Sequence, residues 1–347
     1  DWNLSFDMIY SDMIDQIAFV DLSLHQTGTA PDGRGTYSQV DVMNDGCSAT
    51  FAGIRQGFNG VTAECFGGNQ DVFMTNQPGD RGYTFTTSLQ ANKMFELDND
   101  WNMNVIAGYS YNESHIGNPG VSFTAAENFR AVATDDIVNV PVGRSLRNTP
   151  HNFVLSTVFS KEIFGDLTTT IGMFLNRKHG RQISAVFMGG DYTGAIGDTG
   201  GRARNLVYIP TDANDPIVDF AESFDTAAFF SWVDGQGLER GAIQEKGGLE
   251  EHWQTDLDIR IQQEIPWFSD NNAMIYVDLE NLNNLISSNS GSKMYINTTD
   301  IAAAVGVVSA GIADGRYTFT EFHQPEWIPD VWDSVWRLQV GVRADFW

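Results

Sequence analysis

The sequence predicts an all-β protein: a transmembrane antiparallel β-barrel, about eight strands of it in this chain, with short turns at one end and long loops at the other. Three observations predict it. Apolar and polar residues alternate at strand period over windows of roughly 9–11 residues, the length that crosses a bilayer obliquely. Tryptophans bracket the apolar face of the best such window. The connections between windows alternate between very short and very long.

Composition removes the main competitors. The chain has 347 residues with 45 acidic and 20 basic side chains, and the resulting net charge of −25 repels the phosphate backbone that supplies most nucleic-acid affinity. The longest nearly apolar run, residues 301–313, is flanked by Asp300 and Asp314 and falls short of the ~20 residues a membrane-spanning helix needs. A soluble antiparallel sandwich or propeller would require neither bracketing aromatics nor asymmetric connections. Asp1-Trp2-Asn3 opens directly in alternation, so no signal peptide is read at this end.

Taken in order, the expected strands cover residues 2–10, 83–95, 101–111, 153–163, 167–175, 253–267, 273–279 and 336–346. The clearest is 253–267. Trp253, Thr255, Leu257, Ile259, Ile261 and Ile265 share one face, interrupted by Gln263, while Gln254, Asp256, Asp258, Arg260, Gln262 and Glu264 share the other. Its ends, Trp253 and Trp267, are fourteen steps apart, about 33 Å along the membrane normal for a strand rising ~3.3 Å per residue at ~45° tilt. Residues 336–346 repeat the pattern, with Leu338, Val340, Val342, Ala344 and Phe346 against Arg337, Gln339, Gly341, Arg343 and Asp345. In 101–111 the single exception is Ile106. Trp2, Trp101, Trp253, Trp267 and Trp336 are the expected aromatic girdle.

Leu97-Asp98-Asn99-Asp100, Phe164-Gly165-Asp166 and Ser269-Asp270-Asn271 read as tight hairpin turns. The other connections, residues 25–82, 115–149, 184–252 and 287–335, are too long to be structureless and should contain short elements of their own. One is a helix over residues 226–233, with Asp225 as its N-cap. Short turns belong to the periplasmic side of an outer-membrane barrel and long loops to the exterior, which places the C-terminus in the periplasm.

Several stretches, in order along the chain, carry a family resemblance. They are Tyr109-Ser110-Tyr111, Pro150-His151-Asn152-Phe153, Gly180-Arg181-Gln182-Ile183-Ser184 and the run from Asn205 through Leu206, Val207, Tyr208, Ile209, Pro210 and Thr211 to Asp212. Further on come Arg240-Gly241-Ala242-Ile243, Asp256-Leu257-Asp258-Ile259-Arg260 with Gln263-Glu264-Ile265-Pro266, Glu280-Asn281-Leu282-Asn283-Asn284-Leu285 and the closing strand from Trp336 to Arg343. Together they resemble the C-terminal part of TonB-dependent outer-membrane receptors, the Oar-like group. The resemblance implies a barrel of about 22 strands with an N-terminal plug and a TonB box, neither of which can be read in this chain. On that basis residues 1–347 are the last strands of a single barrel domain. An independent eight-stranded barrel with a structural or adhesive role is the alternative. The resemblance further implies ligand uptake through a plug-gated pore energised by the TonB complex. The expected partners are the lipid bilayer and lipopolysaccharide, the barrel-assembly machinery and an extracellular ligand. Phe346 fits the family's terminal assembly signal, whereas Trp347 adds an aromatic out of phase.

The chemistry-bearing residues are sparse. Cys47 and Cys65, both in the first long loop, are read as a disulfide, since a cell-surface setting permits oxidation and no Cys-x-x-Cys redox spacing exists. Asp191, Asp198, Asp212, Asp215 and Asp219 crowd one loop and form a weak Ca²⁺ candidate, the plainer reading being solvated turns. Six scattered histidines show no metal-ligand spacing, and no Gly-x-Ser-x-Gly, Walker or His-Glu-x-x-His motif appears, so no catalytic residue or cofactor site is expected. Asp256, Asp258, Arg260, Arg337 and Arg343 are expected to face the lumen, paired across strands or in contact with a plug and its solute.

Overall fold

In the computed structural model the described residues are 1–77, 79, 82–188, 203–267, 272–298 and 304–344. Eight long strands form one antiparallel sheet in chain order: β1 (Asn3–Met13), β2 (Gly82–Glu96), β3 (Asn102–Ile116), β4 (His151–Phe164), β5 (Leu167–Lys178), β6 (Gln254–Pro266), β7 (Asn272–Glu280) and β8 (Arg337–Ala344). Each lies on a strand expected from alternation, and the main differences are extensions at the loop end, to Met13, Ile116 and Lys178. The tight turns are built by residues that tolerate a left-handed backbone: Asn99 (φ 59°) and Asp100 (φ 63°) between β2 and β3, and Gly165 (φ 67°) between β4 and β5. The third expected turn, Ser269-Asp270-Asn271, lies outside the described residues.

Register sorts the two faces. A row of directly paired residues runs Lys93–Val105–Thr157–Met173–Ile259–Leu279–Leu338, and the next runs Phe95–Met103–Phe159–Ile171–Ile261–Val277–Val340. The opposite face carries Ser88, Ser110, Asn152 and Lys178 in one row and Asn104, Val158, Gly172, Arg260 and Asp278 in another. One face is therefore mostly apolar across the seven strands of these rows, continued on β1 by Leu4, Phe6 and Met8, and the other is mostly polar. Exceptions sit where they can be satisfied. Gln263, on the apolar face near the turn end, pairs with the Thr169 hydroxyl and donates to the carbonyls of Thr168 (3.4 Å) and Glu264 (2.8 Å).

The rows also drift. The row starting at Leu4, second residue from the turn end of β1, reaches Leu257, fourth from the loop end of β6, and passes beyond the last residue of β7. Such stagger accompanies strand tilt in a curved wall. The sheet is open among the described residues: β1 and β8 are its edges, each with one wall neighbour. No closed eight-strand cylinder, which an even strand count allows, is seen among the described residues.

The long connections are far more structured than the sequence suggested. A second, five-stranded mixed sheet has the order Val218–Phe220, Arg316–Phe322, Ala304–Ala313, Gln182–Phe187 and Leu249–Glu250. It joins the third and fourth loops through two parallel pairs, Gln182–Phe187 with Ala304–Ala313 and Val218–Phe220 with Arg316–Phe322. The apolar run that is too short to span a membrane as a helix thus supplies, over its described part, the central strand of a buried sheet. Phe187, Phe229, Tyr317 and Phe319 are fully buried in the core of this cap. The helix forms over Thr226–Gln236, three residues longer than expected. Asp225 caps it by accepting from the Ala228 N–H (2.9 Å), and Gly237 closes it in the left-handed region. The helix buries Phe229 and Val233, one turn apart, against the sheet. Lys246 ties this cap to the wall, its ammonium donating to the carbonyls of Ile116 (3.0 Å) and Gly117. Burial pushes its pKa down to about 7, with Asp135 opposing the fall.

Candidate functional site

A concavity of about 580 Å³ lies in the first long loop. Two strands, Gln16–Asp21 and Val72–Gln77, extend the loop away from the wall. The hairpins Leu24–Thr29 with Gly35–Gln39 and Thr50–Gly53 with Gly57–Asn59 fold over them. Gly57 is needed for this closure, because at φ 63° a Cβ there would stand 2.5 Å from the Leu24 carbonyl oxygen. The base of the groove is held by Asp21. Its buried carboxylate accepts from Ser23 N (3.0 Å), Ser23 Oγ (2.7 Å), Asp71 N (2.9 Å) and Gln39 Nε2 (3.1 Å). One lip is fixed by the Cys47–Cys65 disulfide, since the Asp41 N–H donates to the Cys65 carbonyl (2.8 Å) and the Asp41 carboxylate then accepts from the Met43 N–H (2.8 Å). Val42, Met43, Phe51 and Phe58 line the groove beside Asp41 and Asp71. Phe51 and Phe58 meet edge-on at 5.6 Å, yet Phe51 stays 50 % exposed and Met43 85 %.

Replacing both cysteines by serine is expected to loosen this lip by about 3 kcal/mol of local stability, the chain-entropy value for a loop of this size. Hydrogen exchange of the amides of residues 41–66 should speed up while the wall amides remain unchanged; uniform exchange throughout would contradict a local role.

On the polar face of the wall, Arg260, Arg337, Asp256 and Asp258, all expected to face a lumen, are held by partners from outside that set. Arg260 donates twice to its cross-strand partner Asp278 (2.5 and 2.6 Å). Arg337 lies 3.5 Å from Glu280 and 3.8 Å from Asp333, and Lys293 lies 2.7 Å from Asp256. Asp258 accepts from the Asn281 N–H at 2.8 Å, fixing the short Asn-rich turn that ends β7. Arg343 stands opposite Met274 on the same face. Two adjoining hollows of about 320 and 260 Å³ share Phe174, Asp258 and Glu280 and open over Gly172.

The expected girdle tryptophans fall at the two ends of the apolar face. Trp2, Trp101 and Trp267 stand at the turn end, Trp253 and Trp336 at the loop end. Lys93 lies over the rings of Trp2 (5.3 Å) and Phe95 (4.4 Å), its charge drawn to that rim. Sequence spacing did not reveal that His151 and His179, 28 positions apart, meet at Trp253, with ring centroids 5.9 and 5.1 Å from it. Their common place at the loop ends of adjacent strands was the available signal. Tyr109 bonds His151 Nδ1 through its hydroxyl (2.9 Å), and Arg177 stacks on Trp253 at 5.4 Å.

Three of the five acidic residues considered for Ca²⁺ have other partners in the described structure. Asp212 accepts from the Asn214 N–H (2.7 Å). Asp215, almost fully buried, accepts from Thr211 N (2.8 Å), Thr211 Oγ1 (3.0 Å), Ile217 N (3.0 Å) and Tyr208 Oη (3.1 Å). Asp219 pairs with Arg316 at 2.8 Å. Asp191 and Asp198 lie outside the described residues, as do Phe346 and Trp347. Among the described residues no group of three or more His, Cys, Asp or Glu is gathered around a common metal position.

Burial would raise the Asp215 pKa, but its four donors outweigh that and hold it below the usual carboxylate value. A depressed carboxylate contributes stability that is present above its unfolded pKa of ~3.9 and lost as pH falls through the lower folded value. The cap should therefore keep this contribution down to about pH 4 and lose it below. Asp215→Asn should remove that acid dependence while lowering stability at neutral pH, as measured by Trp232 fluorescence during denaturation at both pH values.

Comparison with protein-family models, with curated proteins and with solved structures returned no match.

Proposed function

We propose that this chain is wall and loops of a TonB-dependent outer-membrane receptor, with further strands and a plug supplied by the rest of the protein. The observation that carries the reading is the eight-strand sheet itself: apolar on one face, mostly polar on the other, ringed with tryptophan at both ends, and open along both edges. A soluble sheet leaving Leu4, Phe6, Met8, Leu338, Val340 and Val342 in water would invite aggregation. In a bilayer the same face is solvated by lipid, and a membrane sheet must close because no unpaired edge is tolerated in hydrocarbon. The paired charges of the other face then line an aqueous interior, and the long loops stand outside, where recognition residues on a rigid scaffold are expected. The interior charges hold the wall, which leaves ligand recognition to the first-loop groove.

The test is the full-length protein extracted from outer membranes. Imaging should show the eight strands continuing into a closed wall of about 22 around a plug, and ligand uptake should cease in cells lacking TonB. A closed cylinder of these eight strands alone, or the protein in the soluble fraction, would refute the reading.

A further inference from the structure

The first-loop groove combines two features that together restrict its ligand. It presents apolar side chains to solvent in a concave arrangement, and its surroundings carry negative charge, while Arg130 of the second loop, beside the groove, is held by the lining residue Gln70 (2.7 Å) and by Glu127 (3.5 Å). Residues 21–77 contain six acids and two arginines, and both arginines are used internally. Arg34 is bonded to Asp32 (2.7 Å) with both side chains buried, and Arg55 donates to the carbonyls of Val138 (2.9 Å) and Asn76 (3.1 Å). Asp21 is saturated at the base of the groove and Asp41 is occupied by the Met43 N–H. Asp71 differs. Its N–H and carbonyl bond to Asp21 and Leu22, which fixes the backbone, while its exposed side chain stands at the rim.

From this we infer that the groove binds a short cationic amphipathic stretch of polypeptide, its apolar side chains against Val42, Met43, Phe51 and Phe58 and a lysine or arginine at Asp71. This inference rests on the loops facing outward, as in the proposed receptor. Three features of the groove favour that ligand over others. An anionic ligand would meet the acidic rim unfavourably. A neutral glycan would leave Met43 and the exposed edge of Phe51 without apolar partners. Methionine adapts its shape to varied apolar partners, which suits a peptide site of relaxed sequence preference.

The experiment uses full-length protein in detergent and the fluorescein-labelled hexapeptide KLRFKL, with ELEFEL and maltohexaose as comparators, read by anisotropy and competition. KLRFKL should bind, more weakly at roughly tenfold higher salt, where exposed charges are screened. Asp71→Asn should weaken it about fivefold and Phe51→Ala about tenfold. Asp314→Asn, which removes one negative charge from a hairpin outside the groove, should leave affinity unchanged. Retention of the Cys47–Cys65 disulfide in each variant excludes loss by misfolding of the loop. Tighter binding of ELEFEL or maltohexaose, equal binding by all variants, or absence of KLRFKL binding would each overturn the inference. Because strand count and TonB dependence are measured separately, a peptide that fails to bind a closed, TonB-dependent barrel sinks only the ligand class.

Discussion

Ile259→Arg is expected to cost 2–4 kcal/mol of folding stability in a membrane and to lower sharply the amount of folded protein recovered from the outer membrane. Ile259 lies midway along β6 in the apolar row that includes Met173 and Leu279. With that face in lipid, as proposed, an arginine there would face hydrocarbon far from either rim, whereas Lys93, beside Trp2 and Phe95, would bring its ammonium to the interface. The matched control is Gln262→Arg. It places the same group on the polar face between Arg260 and Glu264, where water or a neighbouring carboxylate can accommodate it, and should cost under about 1 kcal/mol. Urea unfolding in lipid vesicles, followed by the mobility shift of unheated samples, distinguishes the two. Similar costs for both variants would show that the apolar face does not meet lipid.

The contrast between these neighbouring positions was legible in the sequence because strand alternation is a local property. Each wall strand is specified by its own residues, and even the exceptions, Ile106 and Gln263, were visible before the register was known. The sheet of the cap, unlike its helix capped by Asp225, was not legible for the opposite reason. Its central strand, Ala304–Ala313, pairs in parallel with Gln182–Phe187, over a hundred residues away, and a parallel strand buried on both faces shows a continuous apolar run with no period to read. The groove lies between these cases. The disulfide of the first loop could be read, but the concavity depends on the Asp21 hub and on the close approach of Gly57 to Leu24, which only the folded loop brings together. The charged residues share one face of the sheet, a property that alternation alone displays. Their pairing partners were not legible, since Lys293 and Asp333 come from a loop and reach Asp256 and Arg337 only after that loop folds back.

Phe319→Ala is expected to destabilise the cap by 3–5 kcal/mol while leaving the wall intact. Phe319 is fully buried and packs against Phe224 at 5.7 Å, Phe220 at 5.8 Å, Phe187 at 6.0 Å and Phe229 at 6.3 Å, so its removal leaves a cavity between the sheet and the Thr226–Gln236 helix. These residues come from both the third and fourth loops, and the two should therefore lose order together. Hydrogen exchange should show lost protection in Gln182–Phe187 and Ala304–Ala313 in concert, with the ladders of β4 to β6 as protected as before. The first loop has its own buried cluster, in which Phe19 and Leu24 pack with Phe129, Ile137 and Val138 from the second loop. Peptide affinity at the groove should consequently survive Phe319→Ala. Loss of protection in the wall would mean that cap and wall unfold as one unit; loss of peptide binding would mean that the groove depends on the cap core, which the first loop touches through Ala30 and through Arg34 over the Phe187 ring at 5.6 Å.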